Sequence, residues 1–130
     1  MKVNMVGWHV RHSSDFIKER PNGTHGMQII LVRSDARVVM GCRTYLTKKN
    51  TIFIVESCYP HALYADGTEY TDDFIRFDLE NGDTEFLNSL QLVHNAPILL
   101  DNDIVSDMIK VIEDVFNADK PDKNDKKLLS

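Results

Sequence analysis

The chain has 130 residues, 42% of them apolar and 27% charged, with a net charge of −5. That length implies one domain with a modest core, and no apolar run approaches the roughly 20 residues that span a bilayer. The opening MKVNMVGWHVRH lacks the continuous apolar stretch of a secretory leader, and two cysteines, Cys42 and Cys58, are too few for a disulfide framework.

The expected compartment is the cytoplasm, where both cysteines stay thiols. Residues 1 to 45 carry seven Lys/Arg against three Asp/Glu, and residues 66 to 119 carry two against fourteen. An acidic half does not attract a phosphate backbone, so no DNA-binding surface is expected in this chain.

The first two thirds read as strands. Residues 3 to 11 alternate loosely, and the polar stretch 13 to 26 ends in the turn Pro21-Asn22-Gly23. Met27 to Val32 is a strong β pattern. Ser34-Asp35 turns it into Arg37 to Met40, and Gly41-Cys42 turns that into Arg43 to Leu46. Lys48-Lys49-Asn50 leads into Thr51 to Val55.

The next stretch, ESCYPHALY, raises a question. Pro60 suits a turn leading into a strand. His61 then stands at the strand's mouth, either facing inward as a ligand contact or outward as a plain surface histidine. After Asp66-Gly67 comes Thr71 to Leu79. Turn signals every eight to twelve residues predict an antiparallel sandwich or barrel.

The last third changes character. Asp83 is placed to cap a short helix over 84 to 90. Pro97 starts an extended Ile98-Leu99-Leu100. From Asn102 the pattern is helical. At ~100° per residue, Ile104, Val105, Met108, Ile109 and Val111 fall with Ile112, Val115 and Phe116 in an arc of about 160°. Polar residues fill the other side. Asp101 or Asp103 favours the helix N-terminus electrostatically. The helix is expected to end near Asn117 to Pro121, and Leu128-Leu129 reads as the first turn of a further apolar face.

Three stretches carry a family resemblance. Glu19-Arg20-Pro21-Asn22-Gly23 precedes the first strong strand. Asn50 and His61 keep the spacing of the cupin second motif, Gly-x5-Pro-x-Gly-x2-His, with Asn50, Glu56 and Cys58 replacing its glycines and proline. Phe74-Ile75-Arg76-Phe77 forms an aromatic-rich strand after it. In this order they resemble the N-terminal cupin-type domain of AraC-type bacterial transcription regulators. Asn tolerates the left-handed conformation of glycine, whereas Glu56 and Cys58 imply a different turn shape.

The resemblance implies a mainly β fold: a cupin-like, double-stranded β-helix barrel over residues 1–80. A helical region over 81–130 follows, with a short helix and then the long amphipathic one. The barrel would sense a small polar effector resembling a carbohydrate. The long helix would form a homodimer through an antiparallel helix pair, one edge of its arc buried in the monomer and the other only in the dimer. DNA would be bound only by a helix-turn-helix domain beyond this chain. No membrane contact, cofactor or enzymatic activity is implied.

In sugar-binding members, the arginine before the Pro-x-Gly turn and the aromatic-rich strand contact the ligand. Those roles carry over to Arg20, Asp72 and Phe74, with Arg76 on the same strand face. His61 belongs with them at the barrel mouth. Tyr64 follows Leu63, which stands where the sugar binder has an aromatic. Trp8 lies on the N-terminal segment that folds over the pocket in the family, and it reads equally as a core residue.

A metal-dependent cupin enzyme, such as a sugar isomerase, is the main alternative. It needs three or four converging N/O ligands, and the hairpin from Arg33 to Leu46 has no histidine and no acid beyond Asp35. No metal site is expected. A ligand-free dimerisation scaffold is the third possibility. Its interior would be filled with aliphatic side chains.

Overall fold

The computed structural model describes residues 1–118, so the expected helix end at Asp119 to Pro121 and the Leu128-Leu129 pair lie outside the described residues. The strands are β1 (Lys2–His12), β2 (Ile17–Arg20), β3 (Met27–Val32), β4 (Ala36–Met40) and β5 (Arg43–Thr47). They continue with β6 (Thr51–Val55), β7 (His61–Ala65), β8 (Tyr70–Asp78) and β9 (Ile98–Leu99). The helices are α1 (Asp83–Ser89) and α2 (Ile104–Ala118). The strands form two antiparallel sheets, ordered β1-β8-β3-β6-β9 and β2-β7-β4-β5.

The two sheets face each other over one apolar core, and α2 covers the outer side of the larger sheet over a second. Period two sorts the side chains. Ile30, Val32, Phe53 and Tyr70 point between the sheets and meet Val38 and Met40. Leu31, Ile54, Ile75 and Phe77 point the other way and meet Ile109 of α2. β3 and β6 read as continuous apolar runs because both of their faces are buried.

One strand escapes the sequence pattern, whereas the extended segment expected after Pro97 forms a strand over two residues. β2 is a polar edge strand that pairs only with β7, so the ladder offered by β7 defines it. The two-residue β9 caps the other edge by pairing with β6.

Both helices lie close to their expected spans, with changed caps. Asp83 does not cap α1 with its side chain; Gly82 is the N-cap, in a left-handed conformation. The Asp83 carboxylate instead accepts from the Glu80 N–H at 2.8 Å and pairs with the N-terminal ammonium. Ahead of α2, Asn102 Oδ1 accepts from the Ile104 N–H at 3.1 Å, and the Asp103 carbonyl accepts from the Asp107 N–H at 2.9 Å. Asp103 is held by Arg33 Nη1 at 2.9 Å and Asn50 Nδ2 at 3.0 Å.

In the β6–β7 turn Cys58 sits at φ 63, and Asn50 ahead of β6 sits at φ 71, both in the left-handed region that favours glycine. The Cys58 N–H donates to the Thr24 carbonyl at 2.8 Å, which docks this turn on the one between β2 and β3. Gly23 lies at that contact with φ 65, and a Cβ there would sit 2.5 Å from the Cys58 carbonyl carbon and the Tyr59 nitrogen. Backbone atoms do not yield as a flexible side chain does. Gly23→Ala should therefore lower stability by at least about 1–2 kcal/mol. Cys58→Gly should raise it by about 0.5–1 kcal/mol. Urea unfolding midpoints of the two variants should move in opposite directions.

Candidate functional site

A cavity of about 160 Å³ opens between the sheets where β8 and β1 face β2 and β7. β8 contributes Asp72, Phe74 and Arg76 to its wall. Across from them, β2 contributes Lys18 and Arg20, and β7 contributes His61 and Leu63. The register explains the grouping: Arg20 lies opposite His61 and Lys18 opposite Leu63 in the β2–β7 ladder. Gly7 of β1 leaves room for the Phe74 ring, whose Cε1 would lie 2.4 Å from an added Cβ. His12, Phe16 and Tyr70 stack at one side, with ring centroids 4.0 Å and 4.7 Å apart along the series.

His61 faces inward and is 5% exposed. Its Nδ1–H donates to the Tyr59 carbonyl at 2.9 Å. A carbonyl only accepts, so the neutral ring carries its proton on Nδ1 and leaves Nε2 as an acceptor. Burial lowers its pKa, opposed by the Tyr59 bond and reinforced by Arg20 and Arg76. The Tyr59-Pro60 turn thus fixes the ring's orientation by a bond to the turn's own backbone.

Among the described residues Asp72 is the one carboxylate on the cavity wall. Burial pushes it up to about 6, against the lowering effect of the Tyr70 hydroxyl, which donates to Oδ2 at 2.8 Å. The cations lack such a partner. Among the described residues neither Lys18, Arg20 nor Arg76 forms an ion pair. Burial and then Arg20 lower the pKa of Arg76, and burial followed by Arg20 and Arg76 lowers that of Lys18. Arg76 Nε is buried with no hydrogen-bond partner.

The next residue on β8 faces the other way. Asp73 is 0% exposed. It accepts from Ser106 Oγ of α2 at 2.6 Å and from the His9 N–H at 2.6 Å, with Arg33 Nε 3.8 Å away.

Of the sequence-derived candidates, Arg20, His61, Asp72, Phe74 and Arg76 come together around the cavity. Tyr64 and Trp8 do not, and both expectations are corrected. Tyr64 alternates with His61 and Leu63 along β7, so it points out of the smaller sheet, where the Arg37 guanidinium lies 4.1 Å over its ring. Trp8 packs on the outer face of the larger sheet and donates its indole N–H to Ser106 Oγ at 3.3 Å. Lys18 was missed because β2 carries no apolar alternation. Its signal is the two-residue spacing to Arg20, which puts both on one face once that segment is extended. Among the described residues no three His, Cys, Asp or Glu side chains converge as metal ligands would.

On α2 the expected arc divides. Ile109 is buried against the sheet and Ile112 packs beside it, so neither is available to a second copy. Phe116 is half-buried. Ile104, Met108, Val111 and Val115 are each about 60% exposed along the other edge. None of the helices among the described residues is long and apolar enough to cross a membrane.

No family model and no curated protein matches the sequence. Among solved structures, the plu4264 protein from Photorhabdus luminescens is similar at 13% identity and a TM-score of 0.48, over 63% of this chain and 68% of its own. A variant of salicylate 1,2-dioxygenase from Pseudoaminobacter salicylatoxidans is similar at 19% identity and a TM-score of 0.46, over 71% of this chain. This chain spans only 24% of that enzyme's length.

The raised Asp72 pKa has a consequence for stability. The folded state holds this proton to higher pH than the unfolded chain, so the associated stability is present at pH 4 and lost as pH rises through about 6. Asp72→Asn removes that dependence. The stability of the wild type relative to this variant should fall by on the order of 2–3 kcal/mol between pH 4 and 7 and then level off. Urea unfolding of both proteins across that range checks the sign and the window.

Proposed function

We propose that this chain is the effector-sensing and dimerisation domain of an AraC-type transcription regulator, folded as a cupin-like barrel. In this proposal it works in the cytoplasm, binds a small polar, carbohydrate-like effector, and has neither cofactor nor catalytic activity. DNA contact belongs to a separate helix-turn-helix domain.

One observation supports the proposal: the aliphatic core does not fill all the space between the sheets, and one end holds a cavity walled by Arg20, His61, Asp72, Phe74 and Arg76. A ring face beside forked donors and a carboxylate suits a small hydroxylated molecule. A scaffold without a ligand would have no use for buried charge that costs stability.

β8 also offers a route from ligand to partner. Asp72 and Phe74 face the cavity, while Asp73 between them holds Ser106 of α2 at 2.6 Å. A ligand that shifts β8 would shift the helix. The proposed partner of that helix is a second copy of the chain. Ile104, Met108, Val111 and Val115 recur at alternating steps of four and three, the spacing of a helix-pairing seam. Lys110 is turned back to Asp114 at 3.2 Å and to the Trp8 ring at 5.1 Å within its own chain. Apolar burial must therefore drive association against the acidic flank.

Two measurements test the proposal. In a thermal-shift screen of sugars, sugar acids and sugar phosphates at millimolar concentration, at least one compound should raise Tm. Arg20→Ala should then weaken its binding by on the order of 1.5–3 kcal/mol. Gly7→Ala, which drives the Phe74 ring from its seat, should weaken it too. No shift with any compound favours the scaffold instead. In analytical ultracentrifugation the protein should be a dimer that tightens slightly with salt, as screening relieves acidic repulsion. Val111→Glu should yield a folded monomer; a wild-type monomer at high concentration defeats the dimer proposal.

A further inference from the structure

We infer that the cavity selects a small hydroxylated molecule bearing one oxyanion, a carboxylate or a phosphate, and rejects its neutral counterpart. The inference rests on the effector-binding proposal above and adds the charge and size of the effector.

The cavity wall is electrically unbalanced. Lys18 and Arg20 reach it from β2 and Arg76 from β8, so the three cations come from opposite sheets and face a shared space. Lys18 is exposed, whereas Arg20 and Arg76 are half-buried, and a cation withdrawn from water is ordinarily paired with a counter-charge. Elsewhere in this chain a shielded cation has one: Arg33, whose side chain is 9% exposed, lies against Asp103 and Asp73. The three cavity cations have none among the described residues, although the chain is acidic overall.

Asp72 does not fill the gap. It offsets only one of the three charges: its Oδ2 accepts from the Tyr70 hydroxyl, and it acts on Lys18 from beyond ion-pair distance. Arg76 adds a geometric sign: its Nε–H is buried and unpaired on the wall of the cavity. A guanidinium offers parallel N–H groups that match the paired oxygens of a carboxylate or phosphate. A neutral polyol would occupy some of these donors and leave the net charge standing. An oxyanion supplies both the acceptors and the missing charge.

Size limits the rest of the molecule. About 160 Å³ is below the common range for sites that hold drug-sized ligands. That favours a skeleton of a few carbons over a nucleotide or disaccharide. Phe74 and Leu63 can cover the hydrocarbon skeleton, while Asp72 and the His61 Nε2 acceptor are left for hydroxyl groups.

The test uses pairs that share a skeleton and differ in charge. The full chain is titrated by calorimetry with D-glycerate, glycerol 3-phosphate and glycerol, and with D-gluconate, glucose 6-phosphate and D-glucose. The arginine Nε–H resonances are followed by NMR on labelled wild-type protein. At least one anion should bind about tenfold or more tightly than its neutral partner, weaken with added salt, and shift the Arg76 Nε–H signal. The carboxylate and phosphate arms show which oxyanion is preferred. Arg76→Gln should abolish the preference, and Lys48→Gln, on an exposed pair with Asp35, should leave it intact. If Arg76→Gln fails to fold, Arg20→Gln and the wild-type resonance shift carry the same test. Neutral compounds binding as tightly as the anions overturn this inference and leave the effector pocket standing. Failure of every compound in both classes overturns the inference and the pocket together.

Discussion

The fold depends on one strand serving two environments. β8 sits between β1 and β3, and each residue step along it crosses from one core to the other. Asp72, Phe74 and Arg76 face the space between the sheets, whereas Asp73, Ile75 and Phe77 face α2. A slip of one residue would exchange the two sets. It would place Ile75 and Phe77 in a charged cavity and strand two charges beneath a helix. The register is therefore held from both sides.

Asp73 shows how tightly the two layers are joined. A fully buried carboxylate is costly unless its lone pairs are matched. Here it has the Ser106 hydroxyl and the His9 N–H at 2.6 Å each, and Arg33 nearby. The His9 contact needs the β1 bulge between Gly7 and Val10, where His9 adopts φ 51. Trp8, beside it, donates to the same Ser106. One serine on α2 thus links the helix to β8 and to β1, and Ser106 is 1% exposed despite being polar.

The cavity depends on a second coupling, between two turns. The β2–β3 turn at Gly23 lies on the backbone of the β6–β7 turn at Cys58 and Tyr59. That contact aligns the end of β2 with the start of β7 and sets Arg20 against His61. Two short segments far apart in sequence, Arg20 to Gly23 and Cys58 to His61, therefore form one structural unit. Cys58 at this contact adopts a left-handed backbone, φ 63, without being a glycine.

The sequence by itself determined the strands whose burial is written into their pattern. The stretches Ile29 to Val32 and Ile52 to Val55 are apolar throughout, and α2 carries a clean division of faces over 104 to 117. It also put Asp72, Phe74 and Arg76 on one face, because period two needs no tertiary information. Only the tertiary structure decided what has no local signal. β2 is a strand because β7 offers it a ladder, and this brings Lys18 to the cavity. Which face of β1 and β7 meets the cavity was likewise decided there: Gly7 and Leu63 face it, so their neighbours Trp8 and Tyr64 face away. The arc of α2 is divided into a buried and an exposed edge by where the helix crosses the sheet. Periodicity records which side chains share a face, and packing alone decides what that face meets.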